Sequence, residues 1–413
     1  MKETHSKVKI KVVHVINSFE YGGAEAMLCN MLTRTDLDRF EPTVVSLIDD
    51  LTVAEPILKA GIPLATMWMR AGVPDPIAIA RLAAHLRRER PGVVQTWMDH
   101  SNLIGGIAAR IATRAKLVWG VHHSQHVPGI AKRSTLMTVS ACAKLSHRLP
   151  DRVVCCSEHS KSLYVRNGFS AARTEVIPNG FDTDAFRPDP AARLGIRREI
   201  GVDPDATLVG LVARFDPVKD HANFLRAAAI LTRRMPDVRF LLCGDKVDDR
   251  NASLTAQIDA MGLSGRCHLL GARRDVARVH AALDVATSSS VSEAFPLVIG
   301  EAMSCGVPCV ATDVGDSALI VGEAGRVVPP RDPLALAEGW LDILTLDPNE
   351  RRRLGLAARR RVCDLFDLGA VTRRYEALYD RLLGPSVGSL KDGRGTLAAP
   401  VTVTPARQTA PLG

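Results

Sequence analysis

Two carboxylates eight positions apart, Glu293 and Glu301, stand in the stretch 288–308, with small polar residues before the first and Pro296 between them. Pro296 sets the first turn of a helix, Leu297 to Cys305 continues it, and Gly306 stops it. Glu293 then lies in the loop before the helix and Glu301 about two turns in, ~10 Å away at ~1.5 Å per helical residue. Such a pair cannot share one proton or one metal ion. It can grip two ends of an elongated ligand rich in hydroxyls, and the unpaired N–H groups of the helix start favour an anion between them. Glutamates at this spacing also flank many core helices by chance, so the weight of the pair depends on what else the chain carries.

It carries fixed cations. Arg214 and Lys219 follow the apolar run Leu208–Ala213 and precede a helical pattern from Ala222 to Met235. Two cations between a strand end and a helix start can neutralise a diphosphate leaving group, a role otherwise given to magnesium. Near the N-terminus the strand pattern Val8–Ile16 leads into Gly22-Gly23-Ala24-Glu25 and an apolar-periodic helix. Strand, glycine turn and helix let backbone N–H groups approach a phosphate closely. The spacing is not Gly-x-Gly-x-x-Gly, so a dinucleotide fingerprint is absent. Histidines concentrate in Trp119-Gly-Val-His122-His123-Ser-Gln-His126, and Asp99-His100 follows another strand pattern. No defended tetrahedral zinc set is supplied.

The elements that must position these residues alternate along the whole chain. Strand patterns at 43–48, 93–96, 116–121 and 151–156 are interleaved with helical patterns at 53–60, 76–90 and 103–112. The second half repeats the scheme from Leu208 onward. Such alternation predicts doubly wound parallel sheets with ligands at the carboxyl ends of the strands. The turn-rich segment Val176–Pro188, which contains Asn179-Gly180-Phe181-Asp182-Thr-Asp184, reads as the linker between the halves.

With these motifs in this order, residues 8 to 383 resemble the retaining glycosyltransferases of family 4 (glycosyl transferases group 1). The resemblance implies an α/β GT-B fold, two doubly wound Rossmann-like domains facing a cleft. It implies an N-terminal acceptor-side domain (1–183), a C-terminal nucleotide-sugar donor domain (184–366), and a helix crossing back to the first domain (367–383). In that family the glycine loop of Gly22 and Gly23 faces the donor phosphates. Residues matching Arg214 and Lys219 bind the diphosphate, Glu293 contacts the donor sugar and Glu301 the ribose. Phe295, Pro296 and Leu297 lie in the same donor-binding stretch, and either His122 or His123 faces the reacting sugar. The implied reaction moves a sugar from a nucleoside diphosphate sugar to an acceptor hydroxyl with retention. It needs no essential metal or cofactor, and the leaving phosphate can deprotonate the incoming hydroxyl. Asp182-Thr-Asp184 spells the metal motif of the other large transferase fold, but in a linker it is discounted. The glutamates are too far apart for glycosidase work.

Composition narrows the partners. At 413 residues the chain has room for two cores. No run of eighteen apolar residues and no signal-peptide pattern occurs, which fits a cytoplasmic location. Nine cysteines without a paired framework read as reduced. The net charge of +8 favours anionic surfaces or phosphorylated substrates, while 4% aromatic residues argue against nucleic acid. A basic amphipathic segment within 127–149 would allow peripheral contact with the inner face of the cell membrane, although an ordinary surface helix reads the same. The expected acceptor is a lipid-linked or other saccharide of cell-envelope polysaccharide, lipopolysaccharide or exopolysaccharide synthesis. Residues 384–413 lack periodicity and read as a disordered tail. The competing readings are a non-catalytic nucleotide-sugar-binding partner in an assembly complex, and another enzyme on this fold such as a phosphorylase or epimerase.

Overall fold

The computed structural model describes residues 9–20, 22–70, 75–122 and 133–384. Seven strands form the first sheet: β1 (Ile10–Ile16), β2 (Phe40–Ser46), β3 (Leu64–Thr66), β4 (Val93–Trp97), β5 (Lys116–Val121), β6 (Arg152–Cys155) and β7 (Thr174–Val176). Six form the second: β8 (Leu208–Val212), β9 (Arg239–Cys243), β10 (Cys267–Leu269), β11 (Val285–Ser288), β12 (Cys309–Thr312) and β13 (Gly325–Val328). The orders are β3-β2-β1-β4-β5-β6-β7 and β10-β9-β8-β11-β12-β13. Every pairing is parallel. Each half is therefore a doubly wound α/β sheet, as the alternation predicted. All-parallel sheets need both faces covered, and each sheet lies between two apolar clusters. The central strands β4 and β8 are buried at every residue; β8 accordingly reads as a short continuous apolar run, while β4 carries the buried polar Gln95 and Thr96.

Helix starts follow the side-chain chemistry of capping. Asp75, Ser157, Asp189, Asn251 and Asp332 each accept a hydrogen bond from a backbone N–H of the helix that follows. Four elements had no counterpart among the sequence expectations: β3, β7 and the helices Pro190–Glu199 and Ser317–Val321. The strands are three residues long and sit at sheet edges, too short for a period to show.

The chain passes between the halves twice, and the two passages pair. The Phe181 N–H donates to Phe366 O at 2.8 Å, and Leu368 N–H donates to Phe181 O at 3.0 Å. The closing helix Leu368–Leu383 then packs on the first sheet, with Leu368, Val371, Tyr375, Leu378 and Tyr379 joining β1 and β2 in one core. Glu376 accepts from Asp36 N–H at 2.9 Å, and Arg39 pairs with Asp380 at 2.6 Å. Asp182 and Asp184 both bind Arg34 at 3.0 Å, so this Asp-x-Asp secures the linker. All nine cysteines are free. Among the described residues no helix is long and apolar enough to cross a membrane.

Candidate active site

Because both sheets are parallel, their carboxyl ends gather the candidate residues. Gly22 and Gly23 follow β1, His122 follows β5, Arg214 and Lys219 follow β8, and Glu293 follows β11. The two sets meet. A Cβ built on Gly23 would lie 3.6 Å from Leu297 Cδ1, so the glycine loop of the first sheet touches the first turn of the glutamate helix.

That helix spans Leu297–Ser304. Pro296 sits just before it, one position earlier than expected, and no side chain caps its start. The helix Gly23–Thr33 is likewise uncapped by any side chain. Two helix N-termini without an N-cap side-chain bond thus face the same gap, where anionic charge is favoured. Glu25, in the first turn of the second of these helices, folds its carboxylate back over Gly22. Burial raises its pKa, a nearby Glu20 adds to the rise, and the Arg214 charge opposes it.

The cations are fixed by short local bonds. Asp216 accepts from Val218 N–H at 2.9 Å and pairs with the half-exposed Arg214 at 3.3 Å. Lys219 Nζ lies 2.5 Å from Glu293 Oε1, which also accepts from Ser290 Oγ at 2.7 Å. Ser289 Oγ donates to Lys219 O, and Val291 N–H donates to Val218 O, each at 2.8 Å. The loops after β8 and β11 are therefore stitched together, with Lys219 and Glu293 joined across them. Glu301 is partly exposed, and its Oε2 is 3.5 Å from Nε2 of the buried His280.

The other positions expected from the sequence divide. His122 stacks on Trp97, with ring centroids 4.8 Å apart at 20°, and Trp97 in turn donates from Nε1 to His14 Nδ1 at 3.3 Å. This sets the His122 ring at the carboxyl end of β5. His123 lies outside the described residues. Phe295 departs from the donor-contact expectation. Its ring is 5% exposed and packs against Phe181 and Phe366 at 5.8 and 5.5 Å. The apolar side chain went to the core beside the linker. Asp99 is buried with Tyr164 Oη donating to it at 3.1 Å, an interior carboxylate rather than one open to a ligand. Among the described residues no three His, Cys, Asp or Glu side chains are grouped as metal ligands.

Three positions were missed by sequence reasoning. Gly315, at φ +57°, supports the glutamate loop: a Cβ there would sit 2.3 Å from Glu293 O. Asp316 beside it reaches across to the first half, where its carboxylate accepts from the N–H groups of Glu158 and His159 at 2.9 and 3.0 Å. Burial raises the Asp316 pKa and those two N–H groups oppose the rise. His280 is the third. The glycine turn after β12 was visible in the sequence, but nothing in it named the partners.

Residues 21–185 match the family model for Glycosyltransferase Family 4, and residues 206–345 match that for Glycosyl transferases group 1. The chain belongs to this glycosyltransferase family. Two known proteins and two solved structures give its neighbourhood. A D-inositol 3-phosphate glycosyltransferase of Mycobacterium sp. (strain KMS) is 34% identical over 211 residues, 49% of this chain and 47% of that protein. The chain thus spans about half the length of that relative. The UDP-Gal:alpha-D-GlcNAc-diphosphoundecaprenol alpha-1,3-galactosyltransferase of Escherichia coli is 26% identical over 342 residues, 78% of this chain and 84% of that one. Anabaena Alr3699/HepE, solved in complex with UDP-glucose, superposes with a TM-score of 0.77 at 26% identity, covering 89% of this chain and 99% of its own. The lipopolysaccharide glycosyltransferase WaaG shares the fold at a TM-score of 0.69 and 17% identity. The family member described here thus has the GT-B architecture: two Rossmann-like sheets with carboxyl ends turned to one gap.

Proposed function

We propose that this protein transfers a sugar from a nucleoside diphosphate sugar to an acceptor hydroxyl, with retention of anomeric configuration. The observation that carries this is one gap bordered by Arg214, the Lys219–Glu293 pair and two uncapped helix starts. That arrangement suits a diphosphate with a sugar on one side and a ribose on the other. Arg214 and Lys219 would hold the diphosphate, assisted by the N–H groups of Leu297 and Val298. Glu293 would take sugar hydroxyls and Glu301 the ribose. In the reaction the bond from the anomeric carbon to the phosphate oxygen breaks, and one from that carbon to the acceptor oxygen forms. The acceptor proton passes to the departing phosphate on the same face. His122, ordered by Trp97, would border the sugar. No metal or cofactor is required where two side-chain cations meet the leaving group.

The acceptor we favour is a lipid-linked or other saccharide of cell-envelope polysaccharide synthesis. The galactosyltransferase relative, whose name carries a diphosphoundecaprenol, supports it. The helix Arg133–Leu145, with Arg133, Lys144, Leu136 and Met137 exposed, supports peripheral contact with the inner face of a membrane. The test is a panel of nucleoside diphosphate sugars, led by UDP-glucose and UDP-galactose, scored by thermal shift and by release of free diphosphate. One donor should raise the melting temperature and be slowly hydrolysed, and hydrolysis should vanish in Glu293→Ala and Arg214→Ala. Binding of a donor without turnover toward any acceptor extract would favour the non-catalytic reading.

A further inference from the structure

Trp68 combines three features that nothing above uses. It is 62% exposed, whereas Trp97, Trp119 and Trp340 are wholly buried. Its φ is +50°, a left-handed conformation that bulky L-residues rarely adopt. It is also the extra residue of a bulge. The N–H groups of Met67 and Met69, two apart in the extension just past β3, donate to the adjacent carbonyls of Ser46 and Leu47 at 2.9 and 2.8 Å. Both methionine side chains are buried, at 6% and 9% exposure, so the bulge is pinned on each side and turns the indole outward. Bulges next to sites commonly re-aim a side chain, and strain of this kind persists where function holds it.

The indole stands at the carboxyl end of β3, on the edge of the sheet that also carries Gly22, Gly23 and His122. Two strand spacings of ~4.8 Å separate β3 from β1, or ~10 Å along that edge. That span exceeds one pyranose ring and suits the second or third sugar of a chain whose end lies at the gap. We infer that Trp68 is a stacking platform for an oligosaccharide, the distal part of the acceptor. This rests on the transferase reading above. The apolar CH face of a pyranose lies flat on an aromatic ring, and the contact tolerates changes of sugar. It needs a ring held in one orientation before binding, which the pinned bulge supplies. A membrane anchor has no such need, since interfacial tryptophans serve from mobile loops.

Because Trp68 is the one exposed tryptophan of four, quenching of intrinsic fluorescence by acrylamide reports chiefly on it. The probes are maltotetraose, cellotetraose and chitotetraose, with glucose and N-acetylglucosamine as controls. We expect at least one tetrasaccharide to lower the quenching constant about threefold or more, with little effect from the monosaccharides. Trp68→Ala should weaken binding of that tetrasaccharide by calorimetry about tenfold or more, while Trp68→Phe retains most of it. Trp68→Gly, which relieves the left-handed strain, should keep or raise the melting temperature and leave donor hydrolysis unchanged, yet still lose the tetrasaccharide. Absence of protection by every tetrasaccharide overturns the inference. So does protection by phosphatidylglycerol vesicles alone, which would make the ring a membrane anchor. If tetrasaccharides protect Trp68 but no nucleoside diphosphate sugar is ever hydrolysed, the transferase reading fails and the saccharide site stands by itself.

Discussion

Lys219 and Glu293 make opposite predictions for the binding of a nucleoside diphosphate that lacks its sugar. Their side chains are 23% and 15% exposed and meet at 2.5 Å. A hydrogen bond between charged groups contributes about 1.5–3 kcal/mol net. A diphosphate that takes Lys219 must loosen this bond and recovers only part of it. In Glu293→Gln the lysine keeps its position, since the amide oxygen still accepts, but loses its counter-charge. Loosening then costs about 1 kcal/mol less, and UDP should bind roughly five- to tenfold tighter. In Lys219→Met the diphosphate loses a cation, and UDP should bind ten- to a hundredfold more weakly, about 1.5–3 kcal/mol. Turnover of the sugar-bearing donor should fall in both, by about 10²–10³ in Lys219→Met, the usual range for removing one group that stabilises a developing negative charge. Isothermal calorimetry with UDP alone, beside kinetics with the full donor, separates these terms. Unchanged UDP affinity in Lys219→Met, or weaker UDP binding in Glu293→Gln, would refute the assignment of Lys219 to the diphosphate.

Three further perturbations test the frame around that pair. Gly315→Ala places a methyl 2.3 Å from Glu293 O at a residue with φ +57°. It should cost about 1–3 kcal/mol in urea unfolding and abolish donor-induced stabilisation; a variant of wild-type affinity would show that the glutamate loop is not seated there. Asp316→Ala removes the carboxylate that caps Glu158 and His159 from the other half. It should cost about 1 kcal/mol and speed hydrogen exchange at those two amides, whereas unchanged exchange would mean that the bridge is not made in solution. Acid should destabilise the fold through His14 and His221, whose burial lowers their pKa to about 3 and about 4. The unfolded chain takes up protons below pH ~6.5 while the folded one does not, so stability is full above that pH and is lost as pH falls. By pH 5 each histidine removes about 2 kcal/mol. In His14→Gln the difference between pH 7.5 and pH 5 should shrink by about that amount, and an unchanged pH slope would exclude His14 as its source.

The parallel α/β architecture was legible because each strand–helix unit leaves its own local period, and the buried strands read as apolar runs between turn signals. The places where chemistry would occur followed from topology, since a parallel sheet gathers its loops at one edge. Arg214, Lys219 and Glu293 could be named because charged residues at strand ends and helix starts stand out against apolar neighbours, and Glu301 because it interrupts an otherwise apolar helix. Sequence reasoning did less well with Phe295, which shares the glutamate stretch yet turns into the core against Phe181 and Phe366. Which face an aromatic ring takes is settled by what packs beside it, and here that neighbour comes from the distant linker.

The sequence by itself determined the strand–helix alternation, the two sheets and the residues that can carry charge to one edge, but not the short edge strands β3 and β7, because the former depend on local periodicity and capping within a few residues. Tertiary structure alone decided how those residues meet. It set Lys219 on Glu293, Gly315 beneath the same glutamate, Asp316 across the gap on the helix of Glu158, and Trp68 outward on a pinned bulge. Each of these joins residues that are far apart in the chain, or fixes a backbone angle through hydrogen bonds from a neighbouring strand. No local pattern encodes such partners, since they come together only when both sheets have formed and the two linker passages have paired at Phe181.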